Sequence, residues 1–171
     1  MDNNYIKDIN KKEIIIKVIR VILVIIWMCV VFKFSSEVSD VSSNTSGGII
    51  EIILKLIKQD WTPEELAKTT EILQPYIRKL AHFTLYAIGG FLIYGLNSNS
   101  KKIEELEKKN KKLNKLSISV VVGVIYSITD EIHQVFVPGR EGRIYDVGID
   151  SLGILFGCFI RKIFNKILKI S

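Results

Sequence analysis

The sequence predicts an all-α polytopic membrane protein, a bundle of four transmembrane helices with an interfacial or extracytoplasmic helical segment between the first and second. Three observations support this fold class. The 171 residues suit a single domain, and they combine a hydrophobic fraction of 48% with a charged fraction of 25%. The apolar residues are gathered into long runs that alternate with short charged stretches, which is typical of membrane proteins. The basic residues are concentrated in alternate segments between those runs.

Four apolar runs are long enough to cross a bilayer, whose hydrocarbon core of roughly 30 Å needs about 20 helical residues. They cover residues 14–34, 80–96, 116–137 and 144–160. The first run follows a basic start but is too long for the core of a signal peptide and precedes no small-residue cleavage site, so we predict an uncleaved signal anchor. The third and fourth runs contain acidic residues and are the weaker assignments on hydropathy alone.

The distribution of basic residues predicts the orientation of the four runs. The N-terminal segment to Arg20, the loop 97–116 and the tail after residue 160 carry sixteen Lys and Arg residues, whereas segments 35–79 and 138–145 carry seven. Because positive loops stay on the cytoplasmic side, we expect both termini and the 97–116 loop in the cytoplasm of a multi-pass cell-membrane protein. The net charge of +6 then reflects topology and contact with anionic lipids.

The segment between the first and second runs carries helical signals of its own. From Ile49 onwards it reads as an amphipathic interfacial helix. Thr62, Pro63 and Glu65 then give the N-cap, N1 and N3 pattern of a second helix, which we expect to end before Pro75. The charged stretch in the cytoplasmic loop predicts a solvated helix that is too short for a coiled coil.

Polar residues of the apolar runs converge at one depth. With a rise of 1.5 Å per residue, the polar residues of the second, third and fourth runs all fall in the outer leaflet or at its edge. Such groups are costly in lipid, so we expect them to face the bundle interior and to pair. The candidate functional residues are Lys79, His82, Tyr86, Asp130, Glu131, His133, Gln134, Arg140, Arg143, Asp146 and Asp150.

Within this group, Arg140 and Arg143 are the expected partners of the carboxylates, and Glu131 with Arg140 is the first pair to test. Small residues should let the helices approach, above all the pattern Gly153-x-x-x-Gly157 in the fourth run. Gly89-Gly90 and Gly123 would serve the second and third runs. Cys29 and Cys158 lie inside apolar runs, without metal spacing, and are expected to be unpaired core residues.

Two stretches and one short motif resemble the VanZ-like family of bacterial membrane proteins. The stretches are RKLAHFTLYAIGGFLIY (78–94) and DEIHQVFVPGREGRIYDVGIDSLGILFG (130–157), and the motif is Phe34-Ser35-Ser36. The resemblance covers the chain from the first run to about Gly157. It implies that the matching polar positions are Lys79, His82, Tyr86, Glu131, Gln134, Arg140 and Asp146. Asp150 stands where many members carry Asn, so a hydrogen-bonding role there would become ionic.

The resemblance also implies a function, because the founding members accompany glycopeptide resistance and favour resistance to teicoplanin over vancomycin. We expect an outer-leaflet binding or modulating protein, linked to cell-envelope function or teicoplanin resistance, with a cell-wall precursor or a lipoglycopeptide as the partner besides the lipid bilayer. The sequence leaves open whether the chain forms a homo-oligomer. We predict no cofactor, no metal and no nucleic-acid partner.

Three alternatives stay open from the residues themselves. An intramembrane enzyme, acid–base or metal-dependent, could act on a lipid-linked substrate, since His82, Glu131, His133 and Asp146 are suitable residue types. However, no hydrolase or metalloprotease motif is present. A proton- or ion-coupled carrier could use the same acids, although they are confined to one leaflet. In a purely structural interpretation, the arginines pair with the acids to close the outer loop.

Overall fold

The chain folds into helices joined by short connections in the computed structural model, which describes residues 3–37, 39–58, 60–98 and 100–168. The side chains of residues 3–10, 39–43, 45 and 101 are also outside the description. The described part contains α1 (Asn3–Ser35), α2 (Ser39–Ile57), α3 (Pro63–Asn97), α4 (Lys101–Lys109), α5 (Lys115–Gln134) and α6 (Ile144–Ile167). No strand occurs within these ranges, which confirms the all-α class.

Three helices are long and apolar enough to cross a membrane: α1 over Lys11–Ser35, α3 and α5. They contain the first two runs predicted from the sequence and the third as far as residue 134, where α5 ends. The fourth run lies in α6, whose 24 residues are long enough but which carries charged residues at both ends of its apolar stretch. Asp146 and Asp150 lie in the first half of this run, and Arg161 and Lys162 directly follow it.

The start of α3 forms as the sequence predicts, but its end does not. The Thr62 side chain accepts a hydrogen bond from the Glu65 backbone N–H, and the Glu65 side chain accepts one from the Thr62 N–H, which completes a capping box. The expected helix end before Pro75 is wrong, because α3 continues through this residue to Asn97. Proline removes one helical hydrogen bond. Packing of α3 against α2 and α6 outweighs that loss.

The helix predicted from Ile49 is the second half of α2. Ile50 and Leu54 are buried, while Leu56 and Ile57 are largely exposed. Glu51 and Lys55 form an ion pair one turn apart along the exposed surface. An amphipathic helix with both charged and apolar exposed residues suits the interfacial location that the sequence predicts.

Contacts along the helices define their relative directions. Tyr86 in α3 meets Asp130 in α5, and Asn97 at the end of α3 meets Ser119 near the start of α5, so these two helices are antiparallel. Helix α1 is likewise antiparallel to α3, because Trp27 donates a hydrogen bond to the Leu85 carbonyl oxygen and Arg20 donates one to the Gly95 carbonyl oxygen. Helix α6 runs parallel to α3. The four helices therefore alternate in direction along the chain.

Small residues bring α3 and α6 together, as the sequence predicts. A Cβ atom on Gly157 would collide with the carbonyl oxygen of Ala87, and one on Gly90 would collide with the backbone of Ile154. Gly153 lies against the backbone of Phe83 in the same way. These glycines permit backbone contact that no larger residue would allow. The α3–α6 pair is the most extensive helix contact in the described structure.

Candidate functional site

A cavity of about 320 Å³ opens where α5 ends and α6 begins, beside the middle of α3. We call it the polar cavity, because most of its lining residues are charged or can form hydrogen bonds. The lining consists of Pro75, Arg78, Lys79, His82, Glu131, Gln134, Gly139, Arg140, Glu141, Arg143, Asp146, Ile149 and Asp150. Eight of the eleven residues proposed from the sequence therefore line one cavity, as their common depth predicts.

Asp130 is the centre of a buried hydrogen-bond network directly behind the cavity. Its Oδ2 atom accepts hydrogen bonds from Ser35 Oγ at 2.8 Å, Tyr86 Oη at 3.0 Å and Gln134 Nε2 at 3.2 Å. The Asp130 side chain is only 4% exposed and Tyr86 is fully buried. Three donors from three helices stabilise a carboxylate in a place where an unpaired charge would be expensive.

A second buried carboxylate lies close to the first. Asp150 is 0% exposed, and its Oδ2 atom accepts a hydrogen bond from Ser127 at 3.3 Å. Its Oδ1 atom lies 3.6 Å from His82 Nδ1 but has no hydrogen-bond partner among the described residues. One ligand atom each of His82, Asp130 and Asp150 lie within 4.8 Å of one another. These residue types at this spacing could hold a metal ion.

Glu131 contacts Arg143 through the backbone of Arg143 and not through its guanidinium group. The backbone N–H of Arg143 donates to Glu131 Oε2 at 3.0 Å, and Gln134 donates to Glu131 Oε1 at 3.3 Å. The expected pairing of the Arg143 guanidinium with a buried carboxylate is wrong, because it donates to Glu141 at 2.7 Å. Both side chains are exposed in the loop, where the ion pair forms without desolvation.

Arg140, in the α5–α6 loop, forms hydrogen bonds with residues at the end of α1 and at the end of α5. It donates to the carbonyl oxygens of Glu37 at 2.9 Å and Phe34 at 3.1 Å, and to Gln134 Oε1 at 3.2 Å. The predicted direct pair between Arg140 and Glu131 is therefore replaced by a link through Gln134. Burial and the positive charge of Arg78 lower the pKa of Arg140, and Asp130 and Glu37 oppose this shift.

Lys79 and Asp146 form the outer part of the cavity wall. Their charged atoms are 3.7 Å apart, and both side chains are partly exposed. The Lys79 ammonium also lies 4.4 Å from the centre of the Tyr145 ring. An ion pair at this distance and exposure contributes little to stability, so its charges can be shared with a ligand.

One predicted residue lies elsewhere. His133 faces α1, where its Nε2 atom is 3.0 Å from Ser36 Oγ and its ring stacks on Phe32. Conversely, Ser35 and Ser127 donate hydrogen bonds to the two buried aspartates and Arg78 lines the polar cavity, but none of the three was among the proposed site residues. The position of Ser127 on the same helical face as Glu131 could have identified it from the sequence.

An apolar groove adjoins the polar cavity. It has a volume of about 550 Å³ and runs between α2 and α3. The groove is lined by Phe34, Glu37, Ser46, Ile49, Ile53, Ile77, Arg78, Leu80, Ala81, His82, Thr84, Leu85 and Arg140. Arg78, His82 and Arg140 also line the polar cavity. The two spaces therefore meet at these three residues.

Comparison with family models gives a match to VanZ/LLP1 over residues 20–165. Comparisons with curated proteins and with solved structures gave no match. The matched range includes every residue of the polar cavity and most of the helical bundle. It agrees with the resemblance carried by the two polar stretches and the motif after the first run. This chain belongs to the VanZ/LLP1 family.

Proposed function

We propose that this VanZ/LLP1 protein binds an amphiphile with an acidic headgroup in the outer leaflet of the cell membrane and thereby modulates cell-envelope function. The observation that carries the proposal is the junction of the polar cavity with the apolar groove at Arg78, His82 and Arg140. A site with one charged half and one apolar half matches a molecule built in the same way. Lipid-linked wall precursors and lipoglycopeptides both belong to this class.

The proposal includes α6 as a fourth membrane span. Its 24 residues extend about 36 Å, enough for the hydrocarbon core. Leu152, Phe156 and Phe159 are exposed on its surface, whereas Asp150 is fully buried. This arrangement suits a helix with lipid on one side and a polar interior on the other. The alternating directions of α1, α3, α5 and α6 support the same topology.

Charge distribution supports the orientation of this bundle. Segment 97–116, which leads from the end of α3 to the start of α5, contains seven lysines, whereas the cavity lies at the opposite end, near the α5–α6 loop. With the lysine-rich loop in the cytoplasm, both termini are cytoplasmic and the cavity faces the outer leaflet. Wall precursors and glycopeptides meet the cell on that side.

The cavity can recognise an acidic headgroup. Arg78, Lys79, Arg140 and Arg143 all line it, and the planar guanidinium group of arginine can bind two oxygens of a phosphate or carboxylate group. Its four lining carboxylates can accept hydrogen bonds from sugar hydroxyls or amides. The groove offers Ile53, Leu80 and Leu85 to an acyl chain.

An intramembrane enzyme acting on a lipid-linked substrate is the second candidate. The closeness of His82, Asp130 and Asp150 favours it, since one imidazole and two carboxylates could perform acid–base or metal-assisted chemistry. Incubation of purified protein with a lipid-linked precursor separates the two functions. Binding alone leaves the mass of the precursor unchanged, whereas an enzyme releases a product of lower mass.

Susceptibility measurements test the link to resistance. We would express the wild type in a susceptible Gram-positive host and measure teicoplanin and vancomycin susceptibility side by side. Lys79→Ala removes a cavity cation, and Lys68→Ala is the matched control on the exposed part of the same helix. A teicoplanin-selective loss of susceptibility with wild type and Lys68→Ala, absent with Lys79→Ala, supports the proposal. Unchanged susceptibility at normal membrane levels excludes the resistance role.

A further inference from the structure

We propose that His82, Asp130 and Asp150 form a binding site for a divalent transition-metal ion, such as Zn²⁺ or Mn²⁺, at the inner end of the polar cavity. The three residues come from three different helices, α3, α5 and α6. One ligand atom from each lies within 4.8 Å of the other two. The residue types in the sequence suggested His82 together with Glu131, His133 and Asp146, but the described group that lies within 4.8 Å contains Asp130 and Asp150 beside His82.

Burial makes this cluster different from an ordinary group of surface acids. Asp150 is 0% exposed and Asp130 is 4% exposed. Two carboxylates this close repel each other in a medium of low dielectric, and removing them from water is costly. A divalent cation between them would balance both charges, so the site has an electrostatic reason to be occupied.

A buried oxygen atom without a hydrogen-bond partner independently indicates where the ion would bind. Asp150 Oδ1 is a buried atom with no hydrogen-bond partner in the described structure, and it points towards His82. The other carboxylate oxygen, Oδ2, is held by Ser127, which fixes the side chain. A buried acceptor atom without a donor is uncommon in proteins, and a metal ion would satisfy it.

The spacing fits metal coordination. His82 Nδ1 and Asp150 Oδ1 are 3.6 Å apart, close to the roughly 3.4 Å expected between two tetrahedral ligands bonded at about 2.1 Å. The three ligand atoms lie within 4.8 Å of one another, whereas two ligands bonded to one ion at about 2.1 Å can be at most about 4.2 Å apart. Metal binding would therefore shorten the longest distance between two ligand atoms by less than about 1 Å. The three donors to Asp130 Oδ2, from Ser35, Tyr86 and Gln134, would act as the outer hydrogen bonds that orient metal ligands.

The ligand types select the class of metal. An imidazole nitrogen with two carboxylates suits Zn²⁺, Mn²⁺ and related ions, whereas Mg²⁺ and Ca²⁺ prefer sites made entirely of oxygen. His82 and Asp150 also line the polar cavity, so the ion would be reached from that side. If the proposed function is correct, an oxygen of the acidic headgroup would bind the ion directly, and this part of the inference rests on that function.

Metal binding is tested on purified full-length protein in detergent, without any amphiphile. The protein is stripped with EDTA, dialysed and titrated with Zn²⁺, and the bound metal is measured by calorimetry and by elemental analysis. Asp150→Asn removes a ligand charge while preserving the side-chain shape. Asp146→Asn makes the same change one helical turn earlier in the same cavity and serves as the matched control.

We expect one Zn²⁺ per chain in the wild type and in Asp146→Asn, and an affinity at least about tenfold lower in Asp150→Asn. Zn²⁺ should raise the unfolding temperature of the wild type more than that of Asp150→Asn, a comparison that also shows whether the variant is folded. The proposal is overturned if the stripped wild type takes up no Zn²⁺ or Mn²⁺, or if Asp150→Asn binds like the wild type. Equal loss in Asp146→Asn would likewise remove the assignment of ligands. None of these results depends on amphiphile binding.

Discussion

Asp130 organises the buried polar residues, although Glu131 beside it was the first candidate from the sequence. The two residues are neighbours on α5, so their side chains point in different directions around the helix. Asp130 faces Ser35 and Tyr86, whereas Glu131 lies at the cavity wall. Spacing along the third run predicted that both would lie in the outer leaflet and face the bundle interior. It could not predict which neighbour each would meet, because the rotation of a helix depends on packing against partners distant in sequence.

Removing the hydroxyl group of Tyr86 tests the importance of this network. Tyr86→Phe should lower the unfolding free energy by about 2 kcal/mol, since it removes a hydrogen bond to a buried carboxylate. Tyr126→Phe removes a hydrogen bond to the Met28 carbonyl and should cost only about 1 kcal/mol. Thermal unfolding in detergent measures both. An equal loss in the two variants would contradict the special position of Asp130.

The two loop arginines should behave differently on substitution. Arg140→Lys cannot reproduce the three hydrogen bonds to Glu37, Phe34 and Gln134, so we expect destabilisation of about 1–3 kcal/mol. Arg143→Lys changes only an exposed ion pair with Glu141 and should leave the unfolding temperature unchanged. Chemical denaturation in detergent is the measurement. A stable Arg140→Lys protein would show that the loop is held by other contacts.

At the scale of the elements, sequence predicted the positions of the helices better than their ends. The capping box of Thr62 gave the start of α3, because capping is a local interaction that four residues determine. The passage of α3 through Pro75 was not predictable locally, because it depends on packing against α2 and α6. The Gly153-x-x-x-Gly157 pattern did identify a close helix contact, since small residues at that spacing form one face.

Adding one methyl group to α6 tests that contact. Gly157→Ala places a Cβ atom against the Ala87 carbonyl oxygen, so α3 and α6 must separate, at a cost of about 1–3 kcal/mol. Gly148→Ala adds the same atom to the same helix, where nothing lies within 4 Å, and should be neutral or slightly stabilising. Unfolding temperatures in detergent compare the two. A harmless Gly157→Ala would mean that the helices are not closely packed there.

For the whole molecule, the segregation of apolar and basic residues predicted an all-helical bundle, and it also motivates the proposed orientation. The fourth run, in α6, was one of the two weaker assignments because its acids lower its hydropathy, although Asp150 is fully buried. Hydropathy averages over all sides of a helix, so it underestimates a helix that has polar residues on its buried side.

Cysteine labelling tests the orientation directly. In a background with Cys29 and Cys158 replaced by Ser, Glu141→Cys places a thiol in the exposed α5–α6 loop, and Lys108→Cys places one on α4. With four spans and cytoplasmic termini, a membrane-impermeant maleimide should label position 141 on intact cells. It should label position 108 only after permeabilisation. The reverse pattern, or equal labelling on intact cells, would reject this topology.

Photo-crosslinking tests the central claim, that an acidic amphiphile occupies the cavity and the groove together. Phosphatidylglycerol with a diazirine in its acyl chain would be incorporated into nanodiscs with the protein, irradiated, and the cross-linked peptides mapped by mass spectrometry. We predict cross-links concentrated on groove residues such as Ile53 and Leu85, and reduced by Lys79→Ala but not by Lys68→Ala. Cross-links spread evenly over the exposed apolar surface of α1, α5 and α6, and equal in the two variants, would contradict the claim.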